Sequence, residues 1–322
     1  MINTLVLAVG SPLGQSIIKA LKLSSLDMQI HAADIDEKAA GLHFPGVTPL
    51  ILPLVREEAY LPALLAYIKQ HNIKVIFPTI AAEHDFFARQ QAVFQASGVQ
   101  VVSCESQVFQ ICNDKYFSMR FLAEHGFSAP ETVLCTERAA MEQFIAGRSF
   151  PMVLKPRSGA SSTDVFIVKD AARVFALVGA FPAGYFVLQE FLSDPEDYTV
   201  GVFSARGQEF RQAFVIKRIL KFGLSYSGDV IENRMIAEYC IGIAAALRAT
   251  YSINVQLKLL DGRPCAYEIN PRLSSTTGVR AHFGFNEPDM ILRDMFGMMP
   301  LMPVPVMTHG SFSRYWEEFY KD

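Results

Sequence analysis

The sequence predicts a fold in two parts, an α/β unit with a parallel sheet followed by an α+β unit. Up to about residue 112, short runs rich in valine and isoleucine alternate with helix-like stretches, and this alternation is typical of βαβ units. From about residue 151 strand-like runs dominate, and they end in a long helical pattern and a hairpin. The 322 residues are enough for two or three domains with substantial cores.

The α/β unit contains four strand candidates and two helix candidates. The strand candidates are residues 4–10, 29–34, 74–79 and 99–103, and helical patterns cover residues 14–23 and 59–70. Strands that alternate with helices in this way predict a parallel sheet.

The second unit begins with a helix and continues with strands. Asn113 is a candidate N-cap, the apolar residues Phe117, Phe121 and Leu122 share one helix face, and Gly126 suits the C′ position. The strand candidates are residues 150–156, 164–169, 185–192, 197–204 and 209–219. A long helix is predicted over residues 229–250 and a hairpin over residues 253–270, and the tail from residue 300 is expected to pack back as an irregular strand or helix.

The composition excludes several classes of protein. A hydrophobic content of 51%, a charged content of 19% and a net charge of −3 lack the basic footprint of a nucleic-acid binder. No apolar run approaches the roughly 18 residues of a membrane span, and the N-terminus lacks the features of a signal peptide. The five cysteines are scattered without metal-binding spacing, as expected for free thiols in a reducing compartment. We therefore predict a cytoplasmic protein that binds neither nucleic acid nor membranes.

The first motif is a glycine pair after the first strand, Gly10 and Gly14, with Asp34 and Asp36 after the second strand. Together they are similar to a dinucleotide-binding fingerprint, but Ala8 replaces its first glycine and the spacing to Gly14 is one residue too long. Tight turns between a strand and a helix use glycine without any phosphate. We favour the tight turn, and an NAD-dependent enzyme that uses the α/β unit stays an alternative.

The second motif is the loop of residues 158–163, rich in serine, glycine and alanine, which joins two strand candidates after Lys155. The chain has no Walker A sequence, so the pattern indicates a hairpin loop rather than a P-loop. Such a loop can fold over phosphates, which its backbone N–H groups and the charge of Lys155 would bind. A solvated hairpin with an exposed lysine is the alternative.

The predicted hairpin carries the strongest local signal. Glu268, Asn270 and Arg272 follow one another at intervals of two residues, and a strand directs such residues to one face. An acid, an amide and a guanidinium are therefore expected side by side.

The register of this hairpin decides what lies opposite Glu268. Pro264 lacks the N–H group that a two-residue turn would use, which favours a three-residue loop over residues 261–263. With that loop, Gln256 lies opposite Glu268 on the same face. Gln256, Glu268 and Asn270 then present oxygen ligands that suit Mg²⁺, and a polar face exposed to solvent is the alternative.

Taken together, these motifs resemble the ATP-grasp superfamily, in particular proteins similar to the ATP-binding halves of carbamoyl-phosphate synthetase. The matching segments are NDKY, FPMVLKPRSGASS, VLQEFL, EDYTVGV, SGDV and NVQLKLLDGRPCAYEINPR, in the family's order over about residues 113–290. The resemblance implies a Rossmann-like pre-ATP-grasp domain over residues 1–112, a small lid subdomain over 113–187 and a C-terminal subdomain with the metal site and tail over 188–322. The two α+β subdomains would sandwich ATP.

The resemblance also assigns roles to individual residues. For ATP it implies the basic residues Lys115 and Lys155, the lid residues Ser158, Gly159, Ser161 and Ser162, the adenine hinge Gln189, Glu190 and Leu192, and Asp197 at the ribose with Glu196 as the competing choice. For catalysis it implies Gln256, Glu268 and Asn270 around two Mg²⁺ ions, with Mn²⁺ as a substitute, and Arg272 with Lys155 at the transferred phosphoryl group. The candidate substrate contacts are Arg218, Tyr226, Ser275, Arg280 and Glu83, although a plain helix cap is the alternative for residues 274–277.

The implied reaction is phosphorylation of a substrate carboxylate by ATP, followed by attack of an amine on the acyl-phosphate. The chain has one ATP-grasp unit and no glutaminase segment, so we do not expect a complete carbamoyl-phosphate synthetase. Similar single-unit proteins suggest tailoring of small molecules or surface sugars. The expected partners are a small-molecule carboxylate and an amine, with a homodimer as the candidate assembly. The alternative is a nucleotide-binding regulatory or scaffold protein with a degenerate site.

Overall fold

The computed structural model describes residues 1–159, 163–207, 209–298 and 303–320. Three sheets organise these residues, namely a five-stranded parallel sheet, a four-stranded antiparallel sheet and a six-stranded antiparallel sheet. This architecture confirms the predicted α/β part followed by an α+β part. None of the helices in these ranges is long and apolar enough to cross a membrane.

The parallel sheet has the strand order β3-β2-β1-β4-β5 and lies at the N-terminal end of the chain. Its elements are β1 (Ile2–Val6), α1 (Pro12–Lys22), β2 (Met28–Asp34), β3 (Val47–Ile51), α2 (Tyr60–His71), β4 (Val75–Phe77), α3 (Ala81–Arg89), α4 (Gln91–Ala96), β5 (Gln100–Val101) and α5 (Ser106–Asn113). The sequence prediction located four of these strands and omitted β3. β3 lies at the edge of the sheet, where a proline is tolerated, and Pro49 made this segment look unlike a strand in the sequence.

The glycine turn after β1 brings α1 close to the sheet. A Cβ atom on Gly14 would lie 2.7 Å from the carbonyl oxygen of Ala8, so only glycine fits at this position. Asp34 accepts a hydrogen bond of 2.7 Å from the amide of Gly10 and so holds the turn. This geometry supports the interpretation of the motif as a tight turn.

The four-stranded sheet, which we call the lid sheet, has the order β6-β9-β7-β8. Its elements and their helices are α6 (Lys115–Glu124), β6 (Thr132–Leu134), α7 (Arg138–Ala146), β7 (Met152–Pro156), β8 (Phe166–Val168), α8 (Ala171–Gly179) and β9 (Phe186–Glu190). β7 and β8 pair as antiparallel neighbours. The predicted serine- and glycine-rich loop therefore joins two strands of a hairpin, as expected.

The six-stranded sheet, which we call the large sheet, has the order β14-β13-β10-β11-β12-β15. The elements of this part are β10 (Asp197–Ser204), β11 (Arg211–Lys221), β12 (Leu224–Val230), α9 (Arg234–Leu247), β13 (Tyr251–Leu260), β14 (Arg263–Asn270), α10 (Thr277–His282), α11 (Glu287–Met295) and β15 (Gly310–Ser313). The tail packs back as a strand, because β15 pairs with β12 at the edge of the sheet.

The start of α6 corrects one sequence prediction. Asn113 ends α5, and the N-cap is Asp114, whose carboxylate accepts the amides of Tyr116 and Phe117 at 3.0 and 3.2 Å. The extended backbone of Asp114 separates the two helices, which a sequence reading cannot distinguish from one helix start. Gly126 has a φ of 75° and occupies the predicted position after the helix. Phe117 is 44% exposed, so it does not belong to the buried helix face.

The β13–β14 hairpin corrects a second prediction while retaining its consequence. Leu260 pairs with Arg263, so the turn has two residues, Asp261 and Gly262, with φ values of 50° and 76°. Such left-handed values match a type I′ turn. Gln256 nevertheless pairs with Glu268, because a bulge follows in the register. The bulge, rather than the turn length, aligns these two residues.

The parallel-sheet domain is joined to the large sheet through α1. Ile17, Ile18 and Leu21 of α1 share one hydrophobic core with Phe285 and Ile291 near α11. Hydrogen bonds also cross this junction, from the Ser16 hydroxyl to the Ser275 carbonyl at 2.8 Å and from the Gly278 amide to the Ser16 hydroxyl at 2.7 Å. This junction places the loop that precedes α1 beside the segment that follows β14.

Candidate active site

Residues of the lid sheet and of the large sheet line a cleft made of two adjoining cavities. We call the first the lid cavity; it measures about 300 Å³ and is lined mainly by β7, β9 and the facing strands of the large sheet. The second, the loop cavity, measures about 250 Å³ and is lined by the segment after β14 and by loops of the parallel-sheet domain. The lining residues common to both are Lys115, Gly159, Arg218, Gly223, Gln256 and Glu268.

Glu268 lies on β14 where the two cavities meet, close to both predicted phosphate-binding lysines. Burial acts to raise the pKa of Glu268, but the charges of Lys115 and Lys155 and a hydrogen bond from Asn270 hold that pKa below its usual range. Burial lowers the pKa of Lys155 to about 8, an effect that Lys115 increases and Glu268 opposes. The cleft therefore holds an ionised carboxylate that interacts with two cations.

A backbone carbonyl holds each of these lysines in place. The Nζ atom of Lys115 donates to the carbonyl of Gly159 at 2.9 Å, and the Nζ atom of Lys155 donates to the carbonyl of Tyr267 at 3.0 Å. Both side chains are buried, with exposed fractions of 8% and 4%. Because an ammonium group carries three N–H donors, each lysine can also bind an anion in the lid cavity.

The three predicted metal ligands lie together at the β13–β14 hairpin. Gln256 and Glu268 are cross-strand partners, and Asn270 donates from Nδ2 to the Glu268 carboxylate at 2.9 Å. Over the described ranges, no group of three histidine, cysteine, aspartate or glutamate side chains could hold a metal ion. The Glu268 carboxylate and the Asn270 amide oxygen fit Mg²⁺, because this ion keeps several waters and takes only one or two carboxylates when phosphates complete its shell.

Arg218 lines both cavities and holds neighbouring side chains in place. It donates to the Gln256 side-chain oxygen and to Asp197, in both cases at 2.7 Å, and to the Tyr267 hydroxyl at 2.9 Å. Tyr267 in turn donates to Asp197 at 2.9 Å. Asp197 does not line either cavity, and its carboxylate is used to hold Arg218. Its proposed contact with a ribose stays a prediction, as does that of Glu196, which pairs with Lys217.

Arg272 follows β14 and lines the loop cavity. Its Nη1 atom donates to the carbonyl of Leu273 at 3.1 Å. Burial lowers the pKa of its guanidinium, and the nearby Glu268 carboxylate opposes that shift. A guanidinium stays charged at any physiological pH, so Arg272 brings a permanent positive charge to the wall of the loop cavity.

The predicted adenine hinge forms part of the wall of the lid cavity. Gln189, Glu190 and Leu192 all belong to its wall, together with Val153 and Tyr185. Gln189 is 2% exposed and donates to the Thr132 hydroxyl at 2.8 Å, which fixes its side chain. This part of the cavity wall combines apolar surface with a few polar groups, as sites for flat heterocycles do.

The predicted lid residues divide between described and undescribed parts of the chain. Ser158 and Gly159 line the lid cavity, and Gly159 also accepts the hydrogen bond from Lys115. Ser161 and Ser162 lie outside the described residues.

Arg280 was expected to contact a substrate, and the structure corrects this expectation. Its side chain is fully buried and forms an ion pair of 2.6 Å with the equally buried Glu287. It lines neither cavity. A sequence cannot tell a guanidinium on the outer face of a short helix from one on its inner face, and here α10 turns Arg280 into the protein.

Glu83 is also corrected from a substrate contact to a support. It is 5% exposed, and its carboxylate accepts the amides of Thr79 and Ile80 at 2.7 and 3.2 Å. Burial raises the pKa of Glu83 to about 7, although these two hydrogen bonds oppose the shift. Thr79 and Ile80 line the loop cavity, so Glu83 holds part of the wall of that cavity.

The remaining three substrate candidates differ in position, and Arg218, described above, lines both cavities. Ser275 lines the loop cavity, as expected for a substrate contact. Tyr226 lines neither cavity; the Nζ atom of Lys221 lies 4.5 Å from the centre of its ring. Tyr226 is therefore not placed to contact a substrate in the cleft.

Two residues of the site were not singled out from the sequence. Tyr267 lines the lid cavity with the Nζ atom of Lys155 5.6 Å from its ring centre, although strict alternation would direct it away from Glu268. The bulge that brings both residues into the cleft leaves no mark in the sequence. Asn254 lines the loop cavity and pairs with Asn270. Its interval of two from Gln256 was the available signal.

Comparisons with known protein families cover most of the chain. The protein-family model described as "ATP-grasp domain" matches residues 112–276, and the model described as "PylC-like, N-terminal domain" matches residues 5–102. A curated D-alanine–D-alanine ligase from Parabacteroides distasonis is 24% identical over 214 residues, or 59% of this chain and 63% of that protein. The chain thus spans less than two thirds of the length of this relative.

Solved structures share the fold at low sequence identity. N5-carboxyaminoimidazole synthetase from Staphylococcus aureus, complexed with ADP, superposes with a TM-score of 0.76 at 12% identity over 96% of this chain and 81% of that one. The biotin carboxylase domain of 2-oxoglutarate carboxylase from Hydrogenobacter thermophilus, with MgADP, ADP and bicarbonate, has a TM-score of 0.72 at 14% identity over 91% and 69%. Because the ATP-grasp description covers just over half of the residues, the chain belongs to the ATP-grasp family.

Proposed function

We propose that this protein joins a small carboxylic acid to an amine through an acyl-phosphate, with conversion of ATP to ADP and inorganic phosphate. The observation that carries the proposal is the position of Glu268, an ionised carboxylate that interacts with the charges of Lys115 and Lys155 and lines both the lid cavity and the loop cavity. Glu268 lines both cavities, so a group transferred from one to the other would come close to this carboxylate.

The lid cavity suits the nucleotide. The hinge residues Gln189 and Leu192 and the buried lysines Lys115 and Lys155 all line it. Adenine would lie at the hinge and the phosphates at the lysines, whose compact charges suit them. The ribose contact proposed for Asp197 would require that residue to exchange its present partners.

The loop cavity suits the acid substrate. Among the described residues, its lining includes three cations, Lys115, Arg218 and Arg272, and one carboxylate, Glu268. Its other polar residues are neutral, such as Ser275 and Asn254. This excess of positive charge favours an anion, and a volume of about 250 Å³ favours a small one.

The proposed chemistry has two steps. An oxygen of the substrate carboxylate attacks the γ-phosphorus of ATP, and the bond from that phosphorus to the bridging oxygen breaks to release ADP. The nitrogen of a neutral amine then attacks the acyl carbon, and inorganic phosphate leaves as the nitrogen loses a proton. Arg272 and Lys155 would stabilise the charge on the transferred phosphoryl group, and the lid would exclude water from the acyl-phosphate.

Mg²⁺ bound at Glu268 and Asn270 would supply charge neutralisation and orientation for the phosphate oxygens. Two ions at Gln256, Glu268 and Asn270, and replacement of Mg²⁺ by Mn²⁺, belong to the same proposal. The relative named D-alanine–D-alanine ligase supports an amino acid or peptide-like product. Tailoring of small molecules or surface sugars, a cytoplasmic location and a homodimeric assembly stay predictions.

Trapping of the acyl-phosphate tests the proposal without knowledge of the natural amine. The protein is incubated with ATP, Mg²⁺, hydroxylamine and a panel of acids that includes amino acids, hydroxy acids and uronic acids. We expect at least one acid to yield a hydroxamate together with an equal amount of ADP. ATP binding without ADP release for any acid in the panel would favour the regulatory or scaffold alternative.

Lys155 makes ATP binding depend on pH. Its pKa of about 8 in the free protein leaves it partly neutral above pH 8, whereas bound phosphates favour its charged form. We therefore expect ATP to bind with proton uptake near pH 8 and to lose roughly tenfold in affinity between pH 8 and 9.5. Isothermal titration calorimetry in buffers of different ionisation enthalpy measures both effects.

The Lys155→Arg variant is the matched control, since arginine stays charged across this range. It should bind ATP with little proton uptake and a flat pH dependence. Equal binding heats in all buffers for the wild-type protein would contradict the assignment of Lys155 to the phosphates.

A further inference from the structure

Arg280 is the centre of a fully buried polar cluster behind the loop cavity. Besides its ion pair with Glu287, it donates from Nη1 to Thr276 at 2.7 Å, Ser274 at 3.1 Å and Asn254 at 3.2 Å. Its Nη2 atom donates to the Thr277 hydroxyl at 3.2 Å. One guanidinium therefore binds the segment after β14, the strand β13 and the helix α11 at the same time.

The large sheet leaves space for this side chain. A Cβ atom on Gly201 of β10 would lie 2.5 Å from the Arg280 guanidinium, so the glycine permits the sheet and the guanidinium to touch. Thr199, also on β10, donates to the same oxygen of Asn254 at 3.0 Å. Glu287 accepts a further hydrogen bond of 2.6 Å from Ser252 on β13.

The residues that Arg280 binds are those that shape the loop cavity. Ser274, Thr276 and Asn254 line it, and Arg272 precedes Ser274 by two and Thr276 by four residues in the same segment. Asn254 also pairs with Asn270 beside Glu268. The position of Arg272 relative to Glu268 thus depends on contacts that converge on Arg280.

We propose that Arg280 is a positioning residue, which fixes the segment 272–277 against β13 so that Arg272 faces the phosphoryl group beside Glu268. The kinetic part of this inference rests on the proposed function, and the structural part does not. A misplacement of about 1 Å can cost roughly 100-fold in rate, so the contacts are expected to affect kcat more than ATP binding.

Charge balance and hydrogen bonding are separable in this cluster, and two variants separate them. Glu287→Gln leaves the Arg280 charge without its counter-ion but retains an acceptor for Ser252 and every contact of Arg280 to the segment. Arg280→Met with Glu287→Gln removes both charges and also removes the contacts. A lone buried charge destabilises a protein strongly, whereas a neutral replacement of a buried pair often does not.

The two variants are expected to have opposite effects on thermal stability and on activity. Glu287→Gln should lower Tm by roughly 5–15 °C while kcat stays within about threefold of wild type. The double variant should recover most of that Tm, while kcat falls roughly 100-fold and the KM for ATP changes little. Hydrogen–deuterium exchange should become faster at the amides of residues 272–277 in the double variant alone.

A double variant with wild-type kcat and wild-type exchange in this segment would overturn the proposal. Thr277→Val provides a second test if the double variant does not fold, because Thr277 is fully buried, lines neither cavity and loses only the hydroxyl that binds Arg280 and the Ser274 amide. Unchanged exchange and kcat in that variant would also contradict the proposal. If the wild-type protein turns over no acid in the panel, the proposed function fails, and the exchange measurement still decides the role of Arg280.

Discussion

Glu268→Gln is expected to reduce kcat about 1000-fold, equivalent to roughly 4 kcal/mol of transition-state stabilisation. Glu268 is the one carboxylate among the proposed metal ligands, and the amide oxygens of Gln256 and Asn270 cannot supply its charge. Its loss also leaves Lys115 and Lys155 without the anion that they face, which should lower the pKa of Lys155 below its present value of about 8. The variant should therefore show both slower phosphoryl transfer and a smaller protonated fraction of Lys155.

Steady-state ADP release across a range of Mg²⁺ concentrations measures this effect. The wild-type rate should rise and saturate with Mg²⁺, and the variant should need far more metal for any turnover. Glu238→Gln is a suitable control, because Glu238 lies in an exposed ion pair with Arg234 on α9, where its side chain is 61% exposed. Turnover of Glu268→Gln at the wild-type rate would contradict the assignment of Glu268 as a metal ligand.

Arg272→Met is expected to lower kcat by roughly 10²- to 10³-fold, in the range that the loss of one transition-state donor produces. Arg272 lines the loop cavity but not the lid cavity, so the affinity for ATP should change by less than about threefold. Arg272→Lys should recover part of the rate, since it keeps the charge and loses the planar fork of donors.

Single-turnover measurements with the best acid of the panel separate the two effects. A titration with ATP in the absence of the acid gives the nucleotide affinity of each variant. Arg263→Met serves as the control, since Arg263 is exposed beside the β13–β14 turn. If Arg272→Met weakened ATP binding as strongly as it slowed phosphoryl transfer, Arg272 would be a nucleotide ligand rather than a group at the reacting phosphorus.

The metal hairpin shows how a sequence argument can reach the right pair for the wrong reason. Pro264 favoured a three-residue loop, but the turn consists of Asp261 and Gly262, and a bulge at Tyr267 restores the alignment of Gln256 with Glu268. A bulge adds one residue to one strand and leaves no compositional mark. It also directs Tyr267 into the cleft, which strict alternation of a strand would not.

The buried charges mark the limit of inference from sequence. Arg280 and Glu83 were expected in the pocket, and each instead supports the backbone that forms it. Lys155 and Lys115 were expected to be basic, yet burial lowers the pKa of Lys155 to about 8. Desolvation depends on what packs around a group in three dimensions, and no spacing along the chain records it.

The sequence by itself determined the order of the parts and the chemical identity of the site. The alternation of strands and helices, the lysine before the loop 158–163 and the intervals of two at Glu268, Asn270 and Arg272 are local patterns, because backbone geometry repeats over a few residues. Only the tertiary structure decided which of these groups share the cleft and in what state of charge. Three features depend on contacts between residues far apart in the chain. Glu268 interacts with both lysines, Asp197 forms an ion pair with Arg218, and Arg280 is buried.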